Sequence, residues 1–300
     1  MDDINTLWEK QERIGLNTPA YDKQIFIDIE NKIIQLCREY DLTCKYNVGP
    51  MTGGVPPKGD KTKIVNHEVA RMAYHDVMGG ILISTRNAEI NSRNADTVLD
   101  TLSDDAYPNE LFEYLHDKYI LEDSIVNPEK IIFLPGSNLF NTVDWEKIEE
   151  LMIDYPDAMI KPHPIMTQIS TERLQSKWGD RLISQDVAGL PLINGTKMLW
   201  TTYNSEIGLI AALKKKEFGI VCKWNDVFSM MYAPVYRHFK YRDTEHNYKV
   251  ISTFINSKMS GLVFPWQNDW EERLETYFKH IVKFEKGMEY PYDRQDIEAA

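Results

Sequence analysis

Cysteines and long apolar runs are both scarce in this chain of 300 residues. The three cysteines, Cys37, Cys44 and Cys222, show no CxxC spacing, so the sequence indicates neither a disulfide framework nor a zinc site. No segment approaches the roughly 18 consecutive apolar residues of a transmembrane helix, and we expect no membrane partner. The acidic N-terminus lacks the order of a signal peptide, so we expect a cytoplasmic protein.

The chain also lacks the short motifs of metal-dependent catalysis. It contains neither a DxD triplet nor HExxH, and we expect that no metal or other cofactor is required. Its 34 Lys and Arg against 46 Asp and Glu give a formal net charge of -12. Because clustered cations neutralise nucleic-acid phosphates, this charge disfavours a protein that holds nucleic acid by charge alone, although a local basic patch remains open.

The length and a hydrophobic content of 43% predict two packed domains rather than one. We place the boundary at the break around Asn127-Pro128, with an N-terminal domain over residues 1–126 and a C-terminal domain over residues 127–300. The N-terminal pattern predicts helices over residues 21–40 and 111–115 and strands over residues 44–48 and 81–83. A last helix, over residues 269–282, carries an apolar face suited to packing back on the N-terminal domain.

The C-terminal half alternates strands with helices. Strands are predicted over residues 130–134, 158–161, 181–184, 198–201 and 218–222, and helices over residues 144–155, 170–178 and 204–216. This alternation predicts an α/β fold with a parallel sheet, and residues 127–225 indicate a Rossmann-like nucleotide-binding unit. Ligands of such sheets bind beyond the carboxyl ends of the strands.

Two polar motifs follow the first two of these strands. Gly136 and Ser137 come directly after the first strand, where they could contact a phosphate or a ribose, or form an ordinary turn. Lys161 and His163 lie in the sequence KPHP after the second strand. The flanking prolines hold His163 on a stiff loop, where it could donate to a phosphate oxygen and stabilise a departing nucleotide; a structural histidine is the alternative.

A third motif, TTYNSE, follows the strand over residues 198–201. Asn204, Ser205 and Glu206 come just before an apolar helix, and the free amides of a helix N-terminus attract phosphate. Helix capping alone would also explain Asn204 and Ser205. All three motifs are predicted at the same edge of the sheet, which favours a shared ligand.

The order strand-LPGS, strand-KPHP, strand-TTYNSE-helix resembles the C-terminal domain of two-domain GT-B glycosyltransferases. It is most similar to the His-Pro-motif group, which contains capsule Kdo transferases, bacterial polysialyltransferases and CDP-glycerol-type polymer transferases. The resemblance implies two Rossmann-like domains facing across a cleft and a nucleotide-sugar as co-substrate. It also implies that His163 and Ser205 face the donor phosphates. The chain reads Asn-Ser-Glu where several relatives have paired Ser or Thr.

The N-terminal domain would then hold the acceptor and the general base. Its richest titratable cluster contains His67, Glu68, His75 and Asp76, and Asp76 or His75 is the preferred base because the turn at Gly79-Gly80 could bring that end to the cleft. A charged helix face is the alternative explanation. Arg86 and Arg93 could add phosphate contacts or be surface charge.

The leading hypothesis is a glycosyltransferase that moves a sugar from a nucleotide-sugar to an acceptor hydroxyl. The chain also resembles bacteriophage enzymes that glycosylate hydroxymethylated bases, so duplex DNA is one possible acceptor. The Gly- and Pro-rich loop over residues 49–63, with Lys58, Lys61 and Lys63, could contact its backbone. A capsule or polymer-type sugar transferase, a nucleotide-sugar epimerase and a non-catalytic nucleotide-binding protein are the alternatives.

Overall fold

The structure, a computed structural model, describes residues 23–40, 71–74, 81–85, 88–103, 128–163, 166–187, 189–223, 232–264 and 267–287. The strand predicted over residues 44–48, the loop over residues 49–63 and the helix over residues 111–115 lie outside these ranges. The helices in the described ranges are α1 (Lys23–Glu39), α2 (Ala88–Leu99), α3 (Trp145–Asp154), α4 (Gln168–Trp178), α5 (Gly189–Gly195), α6 (Ile207–Leu213), α7 (Ala233–Tyr236), α8 (Thr244–Asn256) and α9 (Trp270–Gly287). The strands are β1 (Arg71–Tyr74), β2 (Ile81–Ser84), β3 (Lys130–Phe133), β4 (Met159–Lys161), β5 (Met198–Thr201), β6 (Glu217–Ile220) and β7 (Leu262–Val263). Short 3-10 helices occupy Ser137–Thr142 and Gly179–Arg181.

Strands β3 to β6 form a four-stranded parallel sheet in the order β4-β3-β5-β6. In the register of the sheet, Ile131 of β3 lies between Met159 of β4 and Leu199 of β5. The predicted α/β class and the parallel sheet are therefore confirmed, and the arrangement is compatible with a Rossmann-like fold.

Helices cover both faces of this sheet because the side chains of each strand alternate between them. Ile131, Phe133 and Leu199 pack in one hydrophobic cluster with α6 and α8. Ile132 and Trp200 point the other way and pack with α3 and α4. The strands are apolar on both sides, as expected for a parallel sheet between two helical layers.

Aspartates fix the starts of two of these helices. The carboxylate of Asp144 accepts a hydrogen bond from the backbone N–H of Lys147 (3.3 Å) at the start of α3. Asp243 accepts one from the backbone N–H of His246 (3.0 Å) at the start of α8. Each side chain satisfies a donor that the helix leaves unpaired.

A second, antiparallel sheet has the order β1-β2-β7. Its third strand comes from the C-terminal part of the chain, with Leu82 of β2 opposite Leu262 of β7. Helix α9, predicted over residues 269–282, shares a hydrophobic cluster with α1 and β2. The domain boundary near Asn127 and a second Rossmann-like domain facing a cleft stay predictions.

Two predicted elements differ from the structure. The strand expected over residues 181–184 is reduced to a single bridge between Ile160 and Leu182. The guanidinium of Arg181 explains this, because it donates to the carbonyls of Met152 (3.0 Å), Ala158 (3.0 Å) and Tyr155 (2.8 Å) and so holds the chain in a turn. The helix expected over residues 204–216 is shortened to α6, because residues 202–205 form a turn of their own.

Candidate functional site

The three predicted motifs follow three neighbouring strands of the parallel sheet and lie at the carboxyl ends of those strands. We call this end of the sheet its carboxyl edge. Gly136 and Ser137 lie in the loop after β3, Lys161 ends β4 and His163 lies in the loop after it, and residues 204–206 lie in the loop after β5. These are the β3, β4 and β5 loops. The chain adds β4 on one side of β3 and β5 on the other, so the direction of winding reverses between β3 and β5. In open α/β sheets, such a reversal leaves a crevice outside the carboxyl ends of the two strands, where ligands bind.

Ser137 connects the β3 loop to the β4 loop. Its hydroxyl oxygen accepts a hydrogen bond from the backbone N–H of Thr167 (2.8 Å) and lies 3.1 Å from the hydroxyl of Thr167. Thr167 is the residue before α4, so the contact ties the start of that helix to the loop. Gly136 is buried and precedes the 3-10 helix with a φ of -58°, which other residues also adopt.

Lys161 is a buried cation at the end of β4. Its ammonium donates to the carbonyls of Pro162 (2.7 Å) and Gln185 (3.0 Å), and the residue is only 2% exposed. Burial lowers its pKa to about 8, against the opposing effect of the Asp186 carboxylate. The side chain therefore braces the β4 loop against residues 185–186, and its charge lies beneath the loop rather than on its surface.

His163 lies two residues further along the same loop and is partly buried. Burial and the positive charge of Lys161 lower the pKa of its imidazole to about 4. Its carbonyl accepts a hydrogen bond from the backbone N–H of Met166 (3.0 Å). The ring is consequently neutral at pH 7, so one of its nitrogens carries a hydrogen and the other can accept a hydrogen bond.

The β5 loop is held by its own side chains. The hydroxyl of Thr202 donates to Asn204 Oδ1 (2.6 Å), and the backbone N–H of Ser205 donates to the carbonyl of Thr202 (3.0 Å). Ser205 Oγ accepts from the backbone N–H of Ile207 (3.3 Å). Glu206, rather than Asn204 or Ser205, occupies the N-cap position, so the sequence prediction for the cap was wrong by one or two residues.

Tyr236 on α7 supports the β5 loop from below, and the sequence analysis did not identify it. Its phenol donates to the backbone carbonyl of Ser205 (2.6 Å). Burial, together with the nearby Cys222 and Glu206, raises its pKa well above the ordinary value. No local sequence pattern marks a contact between residues so far apart in the chain.

The β3 loop crosses the carboxyl end of β5 and contacts the residues that follow β6. Val143 forms an antiparallel bridge with Cys222, the N–H of Asp144 donates to the carbonyl of Val221 (2.9 Å), and the N–H of Lys223 donates to the carbonyl of Thr142 (2.8 Å). The chain after β3 therefore passes the carboxyl end of β5 before α3 begins. This segment bounds the region between the β3 and β5 loops, where the reversal of winding leads us to expect a ligand.

Of the residues that could contact phosphate in the N-terminal domain, the structure describes Arg93, and it describes no residue of the predicted titratable cluster. His67, Glu68, His75, Asp76 and Arg86 lie outside the described residues.

Arg93 is described, on α2, where its exposed guanidinium pairs with Glu89 (2.5 Å) rather than with the sheet edge. Within the described ranges no group of three or more His, Cys, Asp or Glu side chains is arranged to hold a metal ion.

No helix in the described ranges combines the length and apolar character needed to cross a membrane. Comparison of the chain with protein-family models, with curated proteins and with solved structures found no match. The resemblance to His-Pro-motif glycosyltransferases stays a prediction from the sequence motifs.

Proposed function

We propose that the protein is a glycosyltransferase that uses a nucleotide-sugar donor. The observation that carries the proposal is the convergence of the β3, β4 and β5 loops on one edge of a parallel sheet, on either side of its switch point. The sequence KPHP and the sequence TTYNSE supply hydroxyl, imidazole and carboxylate groups there. These groups suit a ligand that combines phosphate with sugar hydroxyls.

In the proposed reaction, the bond between the sugar carbon and the phosphate oxygen of the donor breaks. A new bond forms from that carbon to the acceptor oxygen, the acceptor proton passes to a base, and the nucleotide leaves with the phosphate. His163 and Ser205 donate hydrogen bonds to the phosphate oxygens as their charge increases, which lowers the barrier without a covalent intermediate on the protein. A bound phosphate would raise the pKa of His163 from its low value and so strengthen this contact.

The other predicted residues take complementary roles. Glu206 accepts from hydroxyl groups of the ribose or sugar, because a carboxylate repels phosphate. Lys161 adds a fixed positive charge beneath the His163 loop. The N-terminal domain, facing the sheet edge across a cleft, holds the acceptor and supplies Asp76 or His75 as the base.

The proposal is tested first by donor binding. Thermal unfolding is followed with UDP-, GDP-, CDP- and CMP-linked sugars, and with the corresponding nucleosides as controls that lack phosphate. A donor at 100 times its Kd should stabilise the fold by about 2.7 kcal/mol. If none of the nucleotide-sugars stabilises the fold, the proposal is wrong.

Turnover separates transfer from the other reactions of a bound donor. Product is measured with donor alone and with donor plus duplex DNA that contains hydroxymethylated bases or a polysaccharide acceptor. Transfer should require the acceptor and should persist in EDTA. Conversion of donor alone would identify an epimerase, and binding without any conversion would identify a non-catalytic nucleotide-binding protein.

A further inference from the structure

A cavity of about 650 Å³ lies at the free edge of β6, which is the last strand of the parallel sheet. We call it the β6-edge pocket. Residues of α3 line one side, and residues 236–241, which connect α7 to α8, line the other. Its volume falls in the range of small-molecule sites, which is about 300–1,000 Å³.

Aromatic rings form much of the wall of the β6-edge pocket. They belong to Trp200, Tyr203, Phe218, Tyr236, Phe239 and Tyr241. Phe218, Tyr236 and Phe239 pack edge to face, with ring centroids 5.1 to 6.0 Å apart, so this part of the wall is rigid.

Gly219 of β6 contacts the ring of Trp200 in the wall of the cavity. A Cβ at this position would lie 2.9 Å from Cδ1 of Trp200 and 3.6 Å from Cε2 of Tyr241. Any side chain here would therefore enter the space between the two rings. The absence of a side chain lets the ring of Trp200 pack directly against the backbone of β6 at the wall of the cavity.

The charges that line the β6-edge pocket have one sign. Lys147, Arg237 and Lys240 contribute to its described lining, which contains no carboxylate. Within the described part of the chain, neither the ammonium of Lys147 nor that of Lys240 forms an ion pair, whereas Arg237 lies 3.9 Å from Asp96. Two cations that form no ion pair with a described residue lie beside one cavity, in contrast with the net charge of -12, and they suit an anionic ligand.

Trp200 adds an unused donor. Its side chain is only 2% exposed and lines the cavity, yet its indole N–H makes no hydrogen bond to any residue that the structure describes. An indole nitrogen can donate a hydrogen bond but cannot accept one. The N–H is therefore available to an acceptor atom of a ligand.

We propose that the β6-edge pocket binds a planar aromatic molecule that carries a phosphate or a carboxylate. The ring of the ligand lies against Tyr203 and Tyr241, an acceptor on the ligand takes the Trp200 N–H, and the anionic group lies near Lys147 and Lys240. The site makes and breaks no bond, and it stands independently of the proposed glycosyl transfer.

Titration calorimetry on the full chain tests the proposal and distinguishes the two kinds of ligand. The probes are the four common nucleoside monophosphates and indole-3-acetate, each compared with its uncharged counterpart, the nucleoside or indole. At least one anionic probe should bind saturably, and its counterpart should bind about tenfold more weakly or not at all. Absence of saturable binding by every anionic probe would overturn the proposal.

Three variants locate the binding. Trp200→Phe keeps a ring and removes the N–H, Lys240→Ala removes one cation, and Tyr241→Ala removes a ring that is 60% exposed and so leaves the core intact. Each should weaken the probe by about tenfold, whereas Lys197→Ala, which removes an exposed cation at the opposite end of β5, should not. If Trp200→Phe fails to fold, binding of the probe to Lys240→Ala and Tyr241→Ala tests the proposal. Binding that is unchanged in Lys240→Ala and Tyr241→Ala would place the probe elsewhere and overturn this proposal while leaving the proposed donor site intact.

Discussion

The phenol of Tyr236 donates a hydrogen bond of 2.6 Å to the backbone carbonyl of Ser205. Tyr236 belongs to α7, and Ser205 lies in the loop that follows β5, so the bond joins the loop to a different layer of the fold. Gly208, at the start of α6, lies directly against the same phenol. The position of the candidate donor loop therefore depends on a residue that makes no predicted contact with the donor.

Replacement of Tyr236 by Phe should lower the free energy of unfolding by about 1–2 kcal/mol, because the partly buried carbonyl of Ser205 loses its partner. Urea denaturation measures the change. Tyr241→Phe is the matched control, since this tyrosine is 60% exposed and its hydroxyl is not part of the contact. Equal stability of Tyr236→Phe and the unsubstituted protein would mean that the bond does not hold the loop.

Replacement of Gly208 by Ala should destabilise the fold by about 1–3 kcal/mol through overpacking. The new Cβ would lie 2.2 Å from the hydroxyl of Tyr236 and 2.9 Å from Cγ2 of Thr201. Because most of this conflict is with the hydroxyl, Gly208→Ala should cost less in a Tyr236→Phe background. A double-mutant cycle measures the difference, and strictly additive changes would contradict the described contact.

Replacement of His163 by Ala should lower kcat by about 10²-fold while leaving the fold intact, because one preorganised donor to the leaving phosphate is removed. Steady-state kinetics and the unfolding midpoint measure the two effects. His238→Ala is a matched control, since His238 pairs with Asp96 on another part of the surface. Unchanged kinetics in His163→Ala would remove this histidine from the mechanism.

The stability of the fold should fall on acidification through the titration of His163. The native pKa is lowered from 6.5 to about 4, so between these values the unfolded chain binds more protons than the native chain. Stability is therefore lost as the pH falls from about 6.5 towards 4. Between pH 7 and pH 5, His163→Gln should lose less stability than the unsubstituted protein, by on the order of 1 kcal/mol. Burial also lowers the pKa of His280, which contributes with the same sign in both proteins and cancels in the comparison.

Replacement of Lys58, Lys61 and Lys63 together by Ala tests duplex DNA as the acceptor. If these lysines neutralise phosphates, acceptor affinity should fall and its dependence on salt should flatten by about 0.9 in log-log slope for each phosphate that is no longer neutralised. Donor binding should not change. An unchanged salt dependence, or no binding of duplex DNA at low salt, would favour a small-molecule or polysaccharide acceptor.

The parallel sheet could be predicted because its strands are short apolar runs separated by amphipathic helices, a local pattern. Helix α2 was missed because two asparagines interrupt its apolar face. Asn91 is buried, where its side chain exchanges hydrogen bonds of 2.8 Å with the backbone of Thr85, and Asn94 donates to the carbonyl of Met259 (3.2 Å). Strand β7 is only two residues long and has no periodicity to detect.

The candidate site also has one part that local sequence predicts and one part that it does not. Strand ends and turn residues placed His163 and Ser205 at one edge, because both are set by local sequence. The buried position of the Lys161 ammonium and the support from Tyr236 depend on which distant segments pack against the loop. Such contacts leave no signature in a single sequence.

The pairing of β2 with β7 bears on how the protein is made. A ribosome synthesises β2 before the parallel sheet and β7 after it, so β2 keeps one edge without its native partner until the segment from β3 to β6 has been produced. The antiparallel sheet can close only after the parallel sheet has been synthesised. We therefore expect the region around β2 to acquire protease resistance late during translation, after the segment from β3 to β6 has folded.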